Sequence, residues 1–222
     1  MDEFLNAVSS GRLEDVKYLL AQGADVNSAD QDGKTALMIA ATQCQDSMVE
    51  LLLSHRADVN AATKAGWTAT HWASSMGWGQ TVKILLDHGA DPNMRDNYGA
   101  TPLMKASRRV HSTVVTHLYK KGVDINALDD FHSTALNRAC RIGAVLLVKQ
   151  LLECGADPEI RDAYGATDLI TASANGQRDI VELLLRQGVD VQAKDFHGWT
   201  ALMWAVSANH GKVVVLLEQY GA

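Results

Sequence analysis

Asp30-Gln31-Asp32-Gly33-Lys34-Thr35-Ala36-Leu37 and, a little further on, Val49-Glu50-Leu51-Leu52-Leu53-Ser54-His55-Arg56-Ala57-Asp58 are the segments from which the fold can be read. An Asp able to bond its own backbone and a Gly able to take a positive φ make a tight turn of the first four residues. Thr35 then stands where a helix N-cap belongs, its hydroxyl placed to accept from a first-turn amide. Leu37, Ala40 and Ala41 follow at helical spacing, and Met48, Val49, Leu52 and Leu53 mark a second helix before Ala57-Asp58 closes the unit. Outward from this stretch the same signals keep phase at a spacing of 33 residues, without insertion: Gly23-Ala24-Asp25, Arg56-Ala57-Asp58, Gly89-Ala90-Asp91, Gly122-Val123-Asp124, Gly155-Ala156-Asp157, Gly188-Val189-Asp190 and Gly221-Ala222. Such a period defines a stack of helix pairs. A helix of about ten residues is marginal alone, so each pair must be stabilised by the next. Inner helices rich in Ala (Ala40, Ala73, Ala106, Ala139, Ala172, Ala205) against outer helices rich in Val and Leu predict a narrower inner side and a concave face.

Composition narrows the function classes. With 47% hydrophobic and 21% charged residues the chain is too apolar for a disordered tail. No apolar run reaches the length of a membrane span, and Met1-Asp2-Glu3 is unlike a basic signal peptide, so a cytoplasmic chain is expected, with the nucleus also open to it. Cys44, Cys140 and Cys154 are odd in number and lack zinc-site spacing, which fits a reducing compartment and predicts no metal. A net charge of -6 disfavours nucleic acid as a partner. Asp-x-x-Gly strings are turns: neither a phosphate-binding loop nor the Glu of a calcium loop accompanies them, and no cofactor is expected. His55 and His88 share one column near the end of the second helix, where capping of the helix dipole explains them.

The repeated Asp-x-x-Gly-x-Thr-x-Leu and Val-x-x-Leu-Leu-x-x-Gly-Ala-Asp patterns resemble the ankyrin repeat, over the whole chain. The resemblance implies an all-α fold, a solenoid of antiparallel helix pairs with β-turn fingers, forming a single domain over residues 1–222 with repeats at 1–29, 30–62, 63–95, 96–128, 129–161, 162–194 and 195–222. It also implies a non-catalytic role in binding other proteins. Several positions depart from the family pattern. The His of its Thr-Pro-Leu-His element survives only as His71, so Met38, Met104, Ile170 and Met203 are expected to make apolar contacts instead. Thr70 replaces a core Leu and must find a hydroxyl partner, which makes the third repeat a candidate weak layer. Val110 stands where the family has Gly between the helices, and a β-branched residue resists the left-handed region, so altered geometry is expected there. The resemblance further suggests hydroxylation of Asn27 and Asn60, each preceded by Asp-Val and lying eight residues after Leu19 and Leu52.

Two surface features point to a partner. Residues 99–131 carry five cations against three anions, whereas residues 1–32 carry seven anions and two cations. Lys105 and Arg138 share an inner-helix column, as do Arg108 and Arg141, so a concave cluster of Lys105, Arg108, Arg109, Arg138 and Arg141 is expected to meet carboxylates or phosphates. Finger-tip columns carry Trp67, Tyr98, Phe131, Tyr164, Phe196 and Trp199, and inner helices add Trp72 and Trp204; aromatics with Arg are the usual composition of binding hot spots. The sequence therefore reads as an adaptor or targeting module for an acidic peptide or folded protein. The alternative is a sensor that holds a phosphorylated small molecule or oligonucleotide on the same Arg cluster. Val213-Val214-Val215-Leu216-Leu217 forms an apolar last layer, which predicts cover from a partner or from further domains of a longer parent protein.

Overall fold

The computed structural model describes residues 3–222, which form two compact units, one ending at Val123 and the other running from Asp124 to Ala222. In the first unit the helix pairs are α1 (Glu3–Ser9) and α2 (Leu13–Ala21), α3 (Ala36–Thr42) and α4 (Asp46–Ser54), α5 (Ala69–Met76) and α6 (Gly79–Asp87), and α7 (Pro102–Arg108) and α8 (Ser112–Lys120). The second unit holds α9 (Ala135–Ile142) and α10 (Val145–Glu153), α11 (Asp168–Ala174) and α12 (Arg178–Arg186), and α13 (Ala201–Ser207) and α14 (Gly211–Gln219). Among the described residues the structure is helical, with isolated β-bridges at Ala29–Thr35 and Lys194–Thr200 where finger turns close.

From the second repeat on, each first helix begins at a Thr, for the reason its sequence position implies. The hydroxyls of Thr35, Thr68, Thr101, Thr134, Thr167 and Thr200 accept from the backbone N–H three residues on, satisfying an amide that has no intrahelical partner. Second helices lack such caps; at three of them the side chain at the N-terminal boundary reaches back to the neighbouring repeat instead. Trp78 Nε1 donates to the Thr42 carbonyl at 3.0 Å, while His111 Nε2 meets the Ser75 carbonyl and His210 Nε2 the Ala174 carbonyl, both at 3.2 Å. His55 and His88 turn Nδ1 onto carbonyls of their own last turns, as capping predicts. Within each unit neighbouring first helices pack side by side through the buried Ala column, and Val49, Leu52, Val82, Leu85, Val115 and Leu118 fill the layer beneath in the first unit.

Two departures resolve differently from expectation. Val110 does not alter the turn: its φ is 62°, beside 82° at Gly77 and 80° at Gly143, so the left-handed geometry is kept and the side chain bears the strain. The turn is closed by the Val110 N–H to Ser107 and the His111 N–H to Ala106, and these bonds hold the backbone where Val would not otherwise go. Thr70, 1% exposed, finds no partner for its hydroxyl. The replaced His column is apolar at buried Met38, Met104 and Ile170, whereas Met203 is half exposed. In the last layer Val213, Leu216 and Leu217 are already buried by their own unit and Val215 is exposed.

Both departures are measurable. Thr70→Val keeps the shape and removes an unsatisfied buried hydroxyl, and raises stability by about 1 kcal/mol. Val110→Gly relieves the left-handed strain, less the entropy Gly adds to the unfolded chain, and gains about 0.5–1 kcal/mol. Urea midpoints should rise in both variants with the slope unchanged.

Candidate functional site

The finger turns of the fourth to seventh repeats are each organised by one carboxylate. Oδ1 of Asp96 accepts the N–H groups of Tyr98 and Ala100, Asp129 those of Phe131 and Ser133, Asp162 those of Tyr164 and Ala166, and Asp195 those of His197 and Trp199. Thr63 takes this place in the third repeat, its hydroxyl accepting from Trp67. The second oxygen of each Asp then faces the first helix. In the first unit Asp96 bonds Lys105 at 2.5 Å, and the Lys105 ammonium also lies 4.4 Å from the centre of the Trp67 ring. In the second unit Asp129 pairs with Arg138.

These ion pairs change the reading of the expected cationic cluster. Lys105 and Arg138 are largely buried and neutralised by their own repeats, because a carboxylate taken out of water needs a charge or donor beside it. Arg108 and Arg109 stay exposed in the first unit, with Arg109 Nη1 3.9 Å from Met76 Sδ. In the second unit Arg141 is exposed, donating to Asn137 Oδ1 at 3.2 Å with Asp162 at 3.9 Å. Of the aromatics, Tyr98, Phe131, Tyr164 and Phe196 project from finger tips at 64–75% exposure, while Trp67, Trp72 and Trp204 are half-buried and Trp199 lies between. The tryptophans pair: Trp67 with Trp72 at 4.5 Å between centroids, and Trp199 with Trp204 at 4.9 Å. Packing within the repeat uses much of their surface.

A column of side-chain oxygens, of Asn and of Glu, stitches the loops, and sequence reasoning missed its role. Asn27 Oδ1 accepts from the Asp58 N–H, Asn60 Oδ1 from Asp91, Asn126 Oδ1 from Asp157 and Glu159 Oε1 from Asp190; Asn60 and Asn126 also donate to the carbonyls of Gly89 and Gly155. The signal was available in the recurrence of Asn at 27, 60, 93 and 126 in one phase of the repeat. Asn27 and Asn60, the expected hydroxylation positions, are therefore both engaged in bonds between repeats.

Ankyrin repeat models match residues 4–96, 57–129, 78–162 and 136–222. The chain belongs to the ankyrin repeat family. A solved structure similar to it is the crystal structure of the human ASB11 ankyrin repeat domain, at 27% identity and a TM-score of 0.88, covering 100% of this chain and 99% of that one. No curated protein matches the chain. Ankyrin repeats are generally protein–protein interaction modules and typically non-catalytic. Among the described residues no helix is long and apolar enough to cross a membrane, and no group of three His, Cys, Asp or Glu could hold a metal ion.

Two buried ionisable groups occupy the ankyrin Thr-Pro-Leu-His element. His71 completes a capping box with Thr68 and its Nε2 meets the Ala100 carbonyl at 3.1 Å, with burial pushing its pKa down to about 4. Asp168 stands where other repeats place Ala or Pro. It is 1% exposed; Asn137 Nδ2 donates to Oδ1 at 3.2 Å and Oδ2 has no partner. Burial, opposed by the Asn137 bond and reinforced by Asp162, Asp157 and Glu159, pushes its pKa up to about 8.

The two shifts act on stability in opposite directions. Neutral His71 is favoured by the fold, so its contribution is complete above the unfolded pKa of 6.5 and is lost as pH falls toward about 4. Protonated Asp168 is favoured, so its contribution is complete below the unfolded value of 3.8 and is lost as pH rises through about 8. Between pH 6.5 and 8 His71 contributes no slope. Over that interval the urea midpoint of the wild type falls, and Asp168→Ala flattens the decline and is the more stable chain at pH 8.

Proposed function

We propose that the chain is a non-catalytic adaptor or targeting module that holds a partner protein against its first-helix face and finger tips. The supporting observation is the exposure of large aromatics at successive fingers: Tyr98 in the first unit, and Phe131, Tyr164 and Phe196 in the second. Each presents a broad rigid surface to solvent, and burying such a ring on association releases water at roughly 25 cal/mol per Å² of apolar area. Arg108 and Arg109, exposed in the first unit, favour acidic groups in the segment that meets them, since guanidinium forks donate to carboxylates in bidentate fashion. A phosphate or oligonucleotide ligand is less well supported, because Lys105 and Arg138 are neutralised internally and add little to a polyanion site.

Affinity capture from extracts of the host cell, followed by mass spectrometry and binding curves with the recovered partner, tests this reading. Phe131→Ala with Tyr164→Ala weakens that partner at least about tenfold at constant fold, as expected for hot-spot aromatics. Arg108→Ala with Arg109→Ala weakens it at low salt and less at high salt. A partner bound equally by all of these variants contradicts the proposed surface.

A further inference from the structure

The residue nine positions beyond each finger Asp decides what the second carboxylate oxygen meets. It is Lys105 for Asp96, Arg138 for Asp129 and, for Asp195, Trp204, whose indole Nε1 donates at 2.7 Å. For Asp162 it is Thr171, which is too short to reach. Asp162 is 7% exposed, and its Oδ2 meets only the Arg141 guanidinium at 3.9 Å, beyond hydrogen-bond distance. Asp30, opposite Ile39, shares the sequence position but is exposed, where water solvates it. Asp162 Oδ2 therefore opens onto a cavity with no hydrogen-bond donor of the chain in reach, and a mostly buried carboxylate gains from a donor or cation placed there.

A second absence meets the first. Lys34 lies over the face of Trp72, 4.6 Å from its centre, and Trp72 is paired with Trp67. The pair Trp199–Trp204 repeats this geometry closely, tilted by 53° against 50°. The counterpart of Lys34 there is Ala166, so no cation covers Trp204 from that side. Ala166 and Thr171 both line one cavity of about 400 Å³ in the second unit, with Asp162, Asp195, Tyr164 and Trp204 around it. Arg141 and His197 also face it, so two carboxylates stand against one fixed positive charge. Asp157 and Glu159, which with Asp162 raise the pKa of Asp168 beneath, add to the negative field.

We propose that this cavity, between the sixth and seventh repeats, receives a basic side chain, lysine or arginine, presented by a partner polypeptide. Its cation bonds Asp162 Oδ2 and lies on the face of Trp204, while its methylenes pack against Tyr164. The chain makes both contacts with its own residues elsewhere, the carboxylate bond through Lys105 and Arg138 and the indole contact through Lys34, and omits both here. The inference rests on the reading of the chain as an interaction module and names the chemistry of one anchor.

Capped pentapeptides, acetyl-Gly-Gly-X-Gly-Gly-amide with X as Lys, Arg, norleucine or Glu, are titrated into the full chain while the indole N–H signals are followed by NMR. The Lys and Arg peptides shift the Trp204 signal saturably in the millimolar range and leave Trp72, already covered by Lys34, unmoved. Norleucine and Glu peptides bind at least about tenfold more weakly. Thr171→Lys supplies the missing cation from within and abolishes the shift; Asp162→Asn, which keeps Oδ1 for the turn amides, weakens it at least about tenfold. Equal binding of the norleucine peptide, an unmoved Trp204 signal, or undiminished binding by folded Thr171→Lys overturns the proposal. A captured protein partner that is insensitive to Thr171→Lys leaves the interaction module standing and removes only this anchor.

Discussion

Everything in this chain depends on burial between one repeat and the next. The helices are seven to nine residues long, and helices of that length do not persist alone in water. What stabilises them is the Ala column of the first helices and the Val/Leu layer beneath, joined by polar bonds that also run from repeat to repeat. Asn27 to Asp58, Trp78 to Thr42 and His111 to Ser75 each satisfy a backbone group with a side chain from the neighbouring copy. A repeat removed from its neighbours would lose apolar cover and leave backbone donors and acceptors unpaired together.

Because the scaffold repeats, one column can carry several kinds of chemistry without disturbing the fold. The position held by Ile39, Trp72, Lys105, Arg138, Thr171 and Trp204 is apolar cover, aromatic surface, counter-ion, the floor of a cavity and an indole donor in turn. The backbone around it is held by the Thr cap and the finger carboxylate, so the side chain is at liberty to vary. Variation of this sort is how an ankyrin array acquires specificity: the fold fixes where a group stands and the substitution fixes what it meets. Strain is tolerated in the same way. Val110 keeps a positive φ because the flanking hydrogen bonds over-determine the turn, and Asp168 remains buried because Asn137 reaches it from the adjacent repeat.

The family, the helix pairs and the Thr caps were legible because they follow from local signals that recur in phase: Gly-x-Thr turns, apolar spacing and a constant period. The finger-tip aromatics could be placed as well, since a tip position is exposed in any such stack, and Tyr98, Phe131, Tyr164 and Phe196 are so. The cationic cluster was legible only as a column. That Lys105 and Arg138 are turned onto Asp96 and Asp129 depends on rotamers and on distances across the turn, which spacing does not encode. The hydroxyl of Thr70 shows the same limit, since its sequence position demanded a partner and the packing around it provides none.

The sequence by itself therefore determined the period, the elements and the membership of the ankyrin family, because each arises from short-range stereochemistry repeated many times over. Only the tertiary structure decided which charges are spent inside the fold and which are left exposed. It also decided that Ala166 and Thr171, two small residues unremarked in the pattern, border one cavity beside a carboxylate whose second oxygen has no hydrogen bond and an indole with no cation over it. The physical reason is that a cavity is made by side chains that are missing from a three-dimensional neighbourhood, and a linear pattern records what is present at each position but not what its neighbours leave empty.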